Sequence, residues 1–229
     1  EVARDLYLRA AMWSGEHVDD ADAAEKTLAL ALGQDPSSSE ALLAIEKLHR
    51  ADGREADLVA TLRSLAALAQ QGGDVGREPS ELRREAKGLA ETVLSNTELA
   101  EEILREMLEA DDADQWALAE LCAVCEANDS AAELYRLLMR RLELSADGAE
   151  MRELRHQAAR VAADKLDNTA GAIDLYEQAF EDDPSDSDAS DALRKLYAGS
   201  ERHEDMLRLI ERLIAMSDDP DARAELQLE

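Results

Sequence analysis

The chain has 229 residues, 45% hydrophobic and 34% charged, a balance that excludes collagen-like, mucin-like and wholly disordered chains. Aromatics are only 3%, with one Phe and two Trp, so Ala and Leu carry the apolar surface and favour helix-to-helix packing over a β-sandwich or barrel, whose strands want Val, Ile, Tyr and Phe. Against 25 Lys and Arg stand 53 Asp and Glu, a net charge of −28 that is spread over every part of the chain; nucleic acid and anionic membrane are therefore poor partners, and a basic protein segment is a better one.

No apolar run approaches the roughly 18 residues of a membrane span, and no signal peptide opens the chain. Residue 1 is Glu rather than Met, which reads as an excised segment of a longer protein; cytoplasm is the default expectation for its location.

Internal repetition organises the elements. The first copy, residues 1–80, holds Trp13, whose counterparts Leu89 and Val161 are apolar and mark a packing position. Asp35-Pro36 then ends one helix, and "EALLAIEKLHRADGREADLVATLRSLAAL" reads as two more. The stretch "AQQGGDVGREPS" carries clustered Gly before a Pro and is expected to be the longest exposed loop. Residues 81–152 lie over 153–224 without a gap at an offset of 72, pairing Leu82 with Leu154, Asn96 with Asn168, Leu121 with Leu193 and Leu137 with Leu209. From the first copy to the middle one the offset is 76, and a further copy begins at 225–229.

Each unit reads as four helices. In 153–224, Leu154, Ala158, Val161, Ala162 and Leu166 recur at three and four, and Asn168 and Thr169 are cap candidates for a second helix through Ala172, Leu175, Tyr176 and Ala179. Pro184 stops that helix. Leu193, Leu196 and Tyr197 mark a third, with Gly199 suited to a left-handed cap. Met206, Leu209, Ile210, Leu213 and Ile214 mark the fourth. No such helix buries its stripe alone, so stacked antiparallel pairs are expected in preference to a compact helical bundle.

These residues resemble the tetratricopeptide repeats. A repeat opened at Glu153 places Ala172, Tyr176, Ala179 and Pro184 on that family's small, aromatic, small and proline positions, and one opened at Ser187 places Leu193 and Tyr197 on its Leu and Tyr positions. Ala24, Leu28, Ala31 and Pro36, then Ile45 and Leu48, answer in the first copy. The resemblance implies an all-α, right-handed α-solenoid of antiparallel helix pairs running over residues 1–229 as a single domain. It also implies a concave groove lined by the first helix of each pair. Carried over by position, the groove residues are Glu40, Leu43, Lys47 and Arg50; Trp116, Ala119, Ala123 and Glu126; and Asp188, Asp191, Lys195 and Ala198. The family's basic clamp for a C-terminal carboxylate is absent. Trp116 faces Asp188 at the offset of 72 and is either a groove anchor or packed on its neighbouring helix.

Motifs for chemistry are missing: no phosphate loop, no His-Glu-x-x-His, no nucleophile elbow and no dinucleotide fingerprint. His17, His49, His156 and His203 share no repeated spacing and are expected at surface or rim positions. Cys122 and Cys125 lie in the middle to late part of a predicted helix, away from the N-terminal dipole that activates redox thiols, and lack the second pair of a zinc site. Cys125 is expected in the core and Cys122 partly buried. Asp182, Asp183, Asp186 and Asp188 lack the Gly and Glu of a calcium loop and are expected to cap and solvate helix ends. The sequence thus reads as a non-enzymatic scaffold without cofactor or metal that presents an acidic concave surface to a protein partner. The alternative is a structural spacer within a larger repeat protein.

Overall fold

Leu, Ala, Glu and Arg, all strong helix formers, fill every predicted segment, and short polar residues cut the segments apart. The computed structural model describes residues 6, 7, 9, 10 and 21–216. Trp13, His17 and the copy beginning at 225 lie outside the described residues. Among the described residues there are eleven long α-helices and no strand: α1 (Ala21–Gln34), α2 (Ser39–Ala51), α3 (Glu55–Gln70), α4 (Pro79–Thr92), α5 (Thr97–Ala110), α6 (Gln115–Ala127), α7 (Ala131–Leu144), α8 (Gly148–Lys165), α9 (Thr169–Asp182), α10 (Ser187–Gly199) and α11 (His203–Met216). None is long and apolar enough to cross a membrane.

The repeat is visible in the bounds. Helices α5, α6 and α7 recur as α9, α10 and α11 at an offset of 72 residues at both ends, and α1 and α2 precede α5 and α6 by 76. The same polar devices set these ends each time. Ser38 Oγ accepts from the Ala41 amide at 3.4 Å, Asp114 Oδ1 from Ala117 at 3.0 Å and Asp186 Oδ1 from Ala189 at 3.0 Å; each is an N-cap satisfying one of the orphan amides of a helix start. Asn96 and Asn168 do likewise for α5 and α9, accepting from Leu99 at 3.0 Å and Gly171 at 3.1 Å. The left-handed residue between α10 and α11 is Glu201 (φ 55°), with Asp129 (φ 55°) and Gly53 (φ 64°) at the matching places. Gly199 is instead the last residue of α10, a correction to its expected role: the chain turns two residues later than the glycine invites.

Each helix packs on the next in antiparallel order, α1 to α5 in one series and α7 to α11 in another, as connections of a few residues require. Ion pairs also tie alternate helices side by side. Arg50 of α2 reaches Glu85 of α4 at 2.7 Å, Arg63 of α3 reaches Glu102 of α5 at 2.7 Å, and Lys87 of α4 reaches Glu120 of α6 at 2.6 Å. First helices of pairs therefore lie beside first helices, and second beside second. This is the stacking of helix pairs that the sequence implies.

The chain divides into two compact units, Glu1–Leu121 and Cys122–Glu229, with the boundary inside α6. In the first, Leu58, Leu62, Leu65, Leu82, Ala86, Ala90 and Ile103 form a closed core. Val75 belongs to it at 6% exposure, so the Gly-rich connection between α3 and α4 is pinned by one apolar side chain, with Gly72 and Gly76 at positive φ on either side. In the second unit, Leu154, Ala158, Ala172, Tyr176, Phe180, Leu193 and Tyr197 are buried. At about 25 cal/mol per Å² of apolar surface, a buried Leu or Phe of this kind contributes roughly 2–3 kcal/mol.

Candidate functional site

A groove runs along α8 and α10, lined by side chains of these helices and of the connection between them. It has a volume of about 820 Å3, is open to solvent, and is lined from α8 by Arg152, Glu153, His156 and Arg160, from α9 by Tyr176, from the α9–α10 connection by Asp183, Ser185 and Asp186, and from α10 by Asp188, Asp191 and Lys195. Three of the residues placed on a groove by position, Asp188, Asp191 and Lys195, are thus brought together. All three are exposed, and Asp188 and Lys195 form no ion pair among the described residues.

The floor of this groove is built by capping. Asp186 starts α10, and its other carboxylate oxygen lies 2.6 Å from His156 Nε2. Burial alone would raise the Asp186 carboxyl, but the Ala189 amide and the His156 ring outweigh it and hold its pKa below the usual aspartate value. The His156 ring stands edge-on to Tyr176 at 5.5 Å between centroids. Burial pushes the Tyr176 hydroxyl up, so it stays protonated. Arg152 pairs with Asp183 at 3.0 Å across the mouth. Carboxylates outnumber permanent cations around the groove, five to three.

The same place in the middle copy is filled. Trp116 stands where Asp188 does, and its ring lies beneath the Arg84 guanidinium (4.9 Å) and the Lys87 ammonium (5.9 Å). Arg84 and Asp114, 3.6 Å apart, occupy the places of His156 and Asp186. Lys87 is 6% exposed and donates to Glu91 at 2.8 Å and Glu120 at 2.6 Å. Burial would lower its pKa, and the two carboxylates more than offset that. Trp116 is therefore half-buried on its neighbouring helix.

The other residues placed on a groove by position are dispersed. On α2, Leu43 is half-buried against the core, whereas Glu40, Lys47 and Arg50 are exposed, Arg50 being tied to Glu46 and Glu85. On α6, Ala119 is half-buried and Ala123 and Glu126 are exposed; Ala198 of α10 is exposed. The α8 side of the groove was not singled out from sequence. Its signal was present in His156, which corresponds to the cationic Arg84 at the offset of 72 and lies beside Arg152 and Arg160 on the polar face of the helix.

Other sequence expectations are corrected or met here. His49 is not a surface residue: it is 5% exposed, with its ring nitrogens 3.0 Å from Thr61 Oγ1 and 3.2 Å from Glu25. His156 is half-buried and His203 exposed. Both cysteines are buried, Cys122 as fully as a core residue, and burial pushes its thiol up, away from thiolate chemistry. Of the aspartates, Asp186 caps α10, Asp183 accepts from the Ser185 amide at 3.1 Å and Asp182 pairs with Arg155. Among the described residues no group of three or more His, Cys, Asp and Glu could hold a metal ion.

No protein-family model and no curated protein matches the chain. Solved structures do resemble it at low identity. The MamA protein is 14% identical, with 93% of this chain and 91% of that one covered and a TM-score of 0.38. A tetratricopeptide repeat protein from Parabacteroides merdae is 14% identical over 99% of this chain and 85% of that one, with a TM-score of 0.37. YrrB, described as a TPR protein with an unusual peptide-binding site, is 16% identical over 81% of this chain and 89% of its own, with a TM-score of 0.37. The stacking of helix pairs described above rests on this chain's own packing and capping, and by those features its fold is similar to that of the tetratricopeptide repeats.

Proposed function

We propose that the chain is a non-enzymatic protein-binding scaffold whose principal contact site is the groove between α8 and α10. The observation that carries this reading is the groove itself: about 820 Å3, open, and rimmed by Asp188, Asp191 and Lys195. That volume falls in the usual range for a ligand site, and its polar lining suits an extended peptide better than a small apolar molecule. Five carboxylates against three cations favour a ligand with Lys or Arg side chains. Lys47, Ala123, Glu126 and the uncovered part of Trp116 hold matching positions on α2 and α6 and are proposed as further contacts.

Selection of linear peptides from a display library on the purified chain tests this. Selected sequences should be enriched in Lys and Arg. Their binding should weaken at least about tenfold, roughly 1.4 kcal/mol, in the Asp188→Lys, Asp191→Lys double variant. The exposed control Glu98→Lys on α5 should bind within about twofold of the parent. Peptides without basic enrichment, or equal binding by the double variant and the control, reject the groove.

A further inference from the structure

A second site, in the other unit, is marked by a buried arginine without a counter-ion. Arg83 of α4 is 7% exposed, yet its one hydrogen bond among the described residues runs from Nη2 to the neutral Gln70 Oε1 at 2.5 Å, and its Nε has no partner. A guanidinium has five donors and a permanent charge. Leaving that charge buried beside an amide is costly, whereas a well-placed carboxylate offsets much of the cost.

The chain contains its own template for what is missing. At the offset of 72, Arg83 corresponds to Arg155 of α8, buried to a similar degree and likewise with an unpartnered Nε, but paired there through Nη1 with Asp182 at the end of α9; the counter-ion, not the Nε, is what separates the two. The counterpart of Asp182 is Ala110, at the end of α5. The middle copy thus has the arginine without the carboxylate. Space stands in its place: a cavity of about 560 Å3 and an adjoining one of about 190 Å3 are both lined by Gln70, Arg83 and Ala110, with Glu106 and Glu109 also on the larger and Asp111 and Asp114 on the smaller. Glu106 is held by Arg63, Asp114 by Arg84 and Asp111 by the Ala113 amide, Glu109 is exposed, and none of the four pairs with Arg83 among the described residues. Arg63 lines the larger, and its own charge is already met by Glu102 and Glu106.

We infer that this space is a binding site for a carboxylate, supplied by a polypeptide partner either as its C-terminus or as an Asp or Glu side chain, which takes the position Asp182 holds beside Arg155. The guanidinium donates to it from Nη1, as Arg155 Nη1 does to Asp182, a charge-assisted contact. The acidity of the chain does not forbid this. Of the carboxylates lining the cavities, Glu106, Asp111 and Asp114 are already engaged by other donors; remoter charges, more than about 8 Å away, are largely screened at roughly 0.15 M salt, and the Arg83 guanidinium acts at contact distance. The site is separate from the α8–α10 groove and does not rest on it.

The experiment follows the Arg83 Nε–H signal by NMR in the whole chain, assigned by its loss in Arg83→Lys. Four probes are titrated: N-acetyl-alanine for a C-terminus, N-acetyl-aspartic acid α-amide for a side chain, N-acetyl-alanine amide, which has no carboxylate, and inorganic phosphate. At least one carboxylate probe should shift the signal saturably and bind about tenfold or more tighter than the amide, and the tighter of the two names the source. A second variant guards against loss of fold: Ala110→Asp restores the internal carboxylate, so it should raise the thermal midpoint by about 2–4 °C and weaken probe binding at least about tenfold. Equal response to the amide, tighter binding of inorganic phosphate, or unchanged probe binding in Ala110→Asp would overturn the assignment.

Discussion

In a chain with 53 acids and 25 bases, the telling residues are the few charges that folding takes out of water. Lys87, Arg83, Arg155 and Glu46 are all buried, and each finds a different answer, from two carboxylates at Lys87 to a lone amide at Arg83. Asp186 is the most consequential for the groove, since one carboxylate caps α10 and faces His156, with Arg152 nearby. Its folded pKa is depressed, so its contribution is fully present above the ordinary aspartate value near about 4. It is lost as pH falls through the lower, folded-state value. Asp186→Asn keeps a capping acceptor and removes only the charge. The variant should be less stable than the parent by about 1 kcal/mol at pH 7, and urea melts at successively lower pH should show that difference closing below about pH 4. A difference that stays constant down to pH 2.5 would mean that the cap geometry alone matters there.

Helices are where sequence and structure agree most closely, and the reason is local. Periodic Leu and Ala, an N-cap and a stopping Pro are all short-range signals, so α9 from Thr169 to Asp182 is legible almost to the residue. Turns are less legible, because backbone angle is not written in residue type alone. Glycine invites a left-handed cap, yet Gly199 stays helical and Glu201 takes the positive φ. The repeat explains why: Gly53, Asp129 and Glu201 hold one structural place, and only the first copy fills it with the residue that suits it. Glu201→Gly should therefore stabilise the chain by about 0.5–1 kcal/mol, the relief of left-handed strain exceeding the added chain entropy. Denaturant unfolding that shows a loss instead would place the cost in the unfolded state. The burial of His49 was legible by the same route, since its counterparts Cys125 and Tyr197 are core residues. What no periodicity of apolar residues could show is which polar side chains lie under the surface. Arg83 and Arg155 look alike in sequence, and only packing shows that residue 182, Asp where the middle copy has Ala110, is the partner that separates them.

At the scale of the whole molecule, the question is whether local ion pairs or the surplus of negative charge sets the response to salt. The pairs are numerous and some are networked: Arg50 and Arg77 share Glu46 and Glu85 at 2.7–3.0 Å. Yet exposed pairs contribute about 0–1 kcal/mol each, and salt weakens them only in part. The surplus of −28 acts differently, as repulsion summed over many carboxylates that the folded state holds closer together than the unfolded chain does. At about 0.01 M salt the screening length is roughly 30 Å, comparable to a small domain, and at 0.15 M it is roughly 8 Å. Most of the repulsion is thus removed over that range, while pairs in direct contact keep most of their attraction. The thermal midpoint should rise by about 5 °C between 10 mM and 300 mM sodium chloride, roughly 1–2 kcal/mol for a chain of this size, and level off above that. Chloride rather than sulfate is the salt to use, because sulfate also strengthens apolar burial. A falling midpoint would show that the ion pairs tying alternate helices, Arg63 to Glu102 and Lys87 to Glu120 among them, hold more of the stability than the acidic surplus removes.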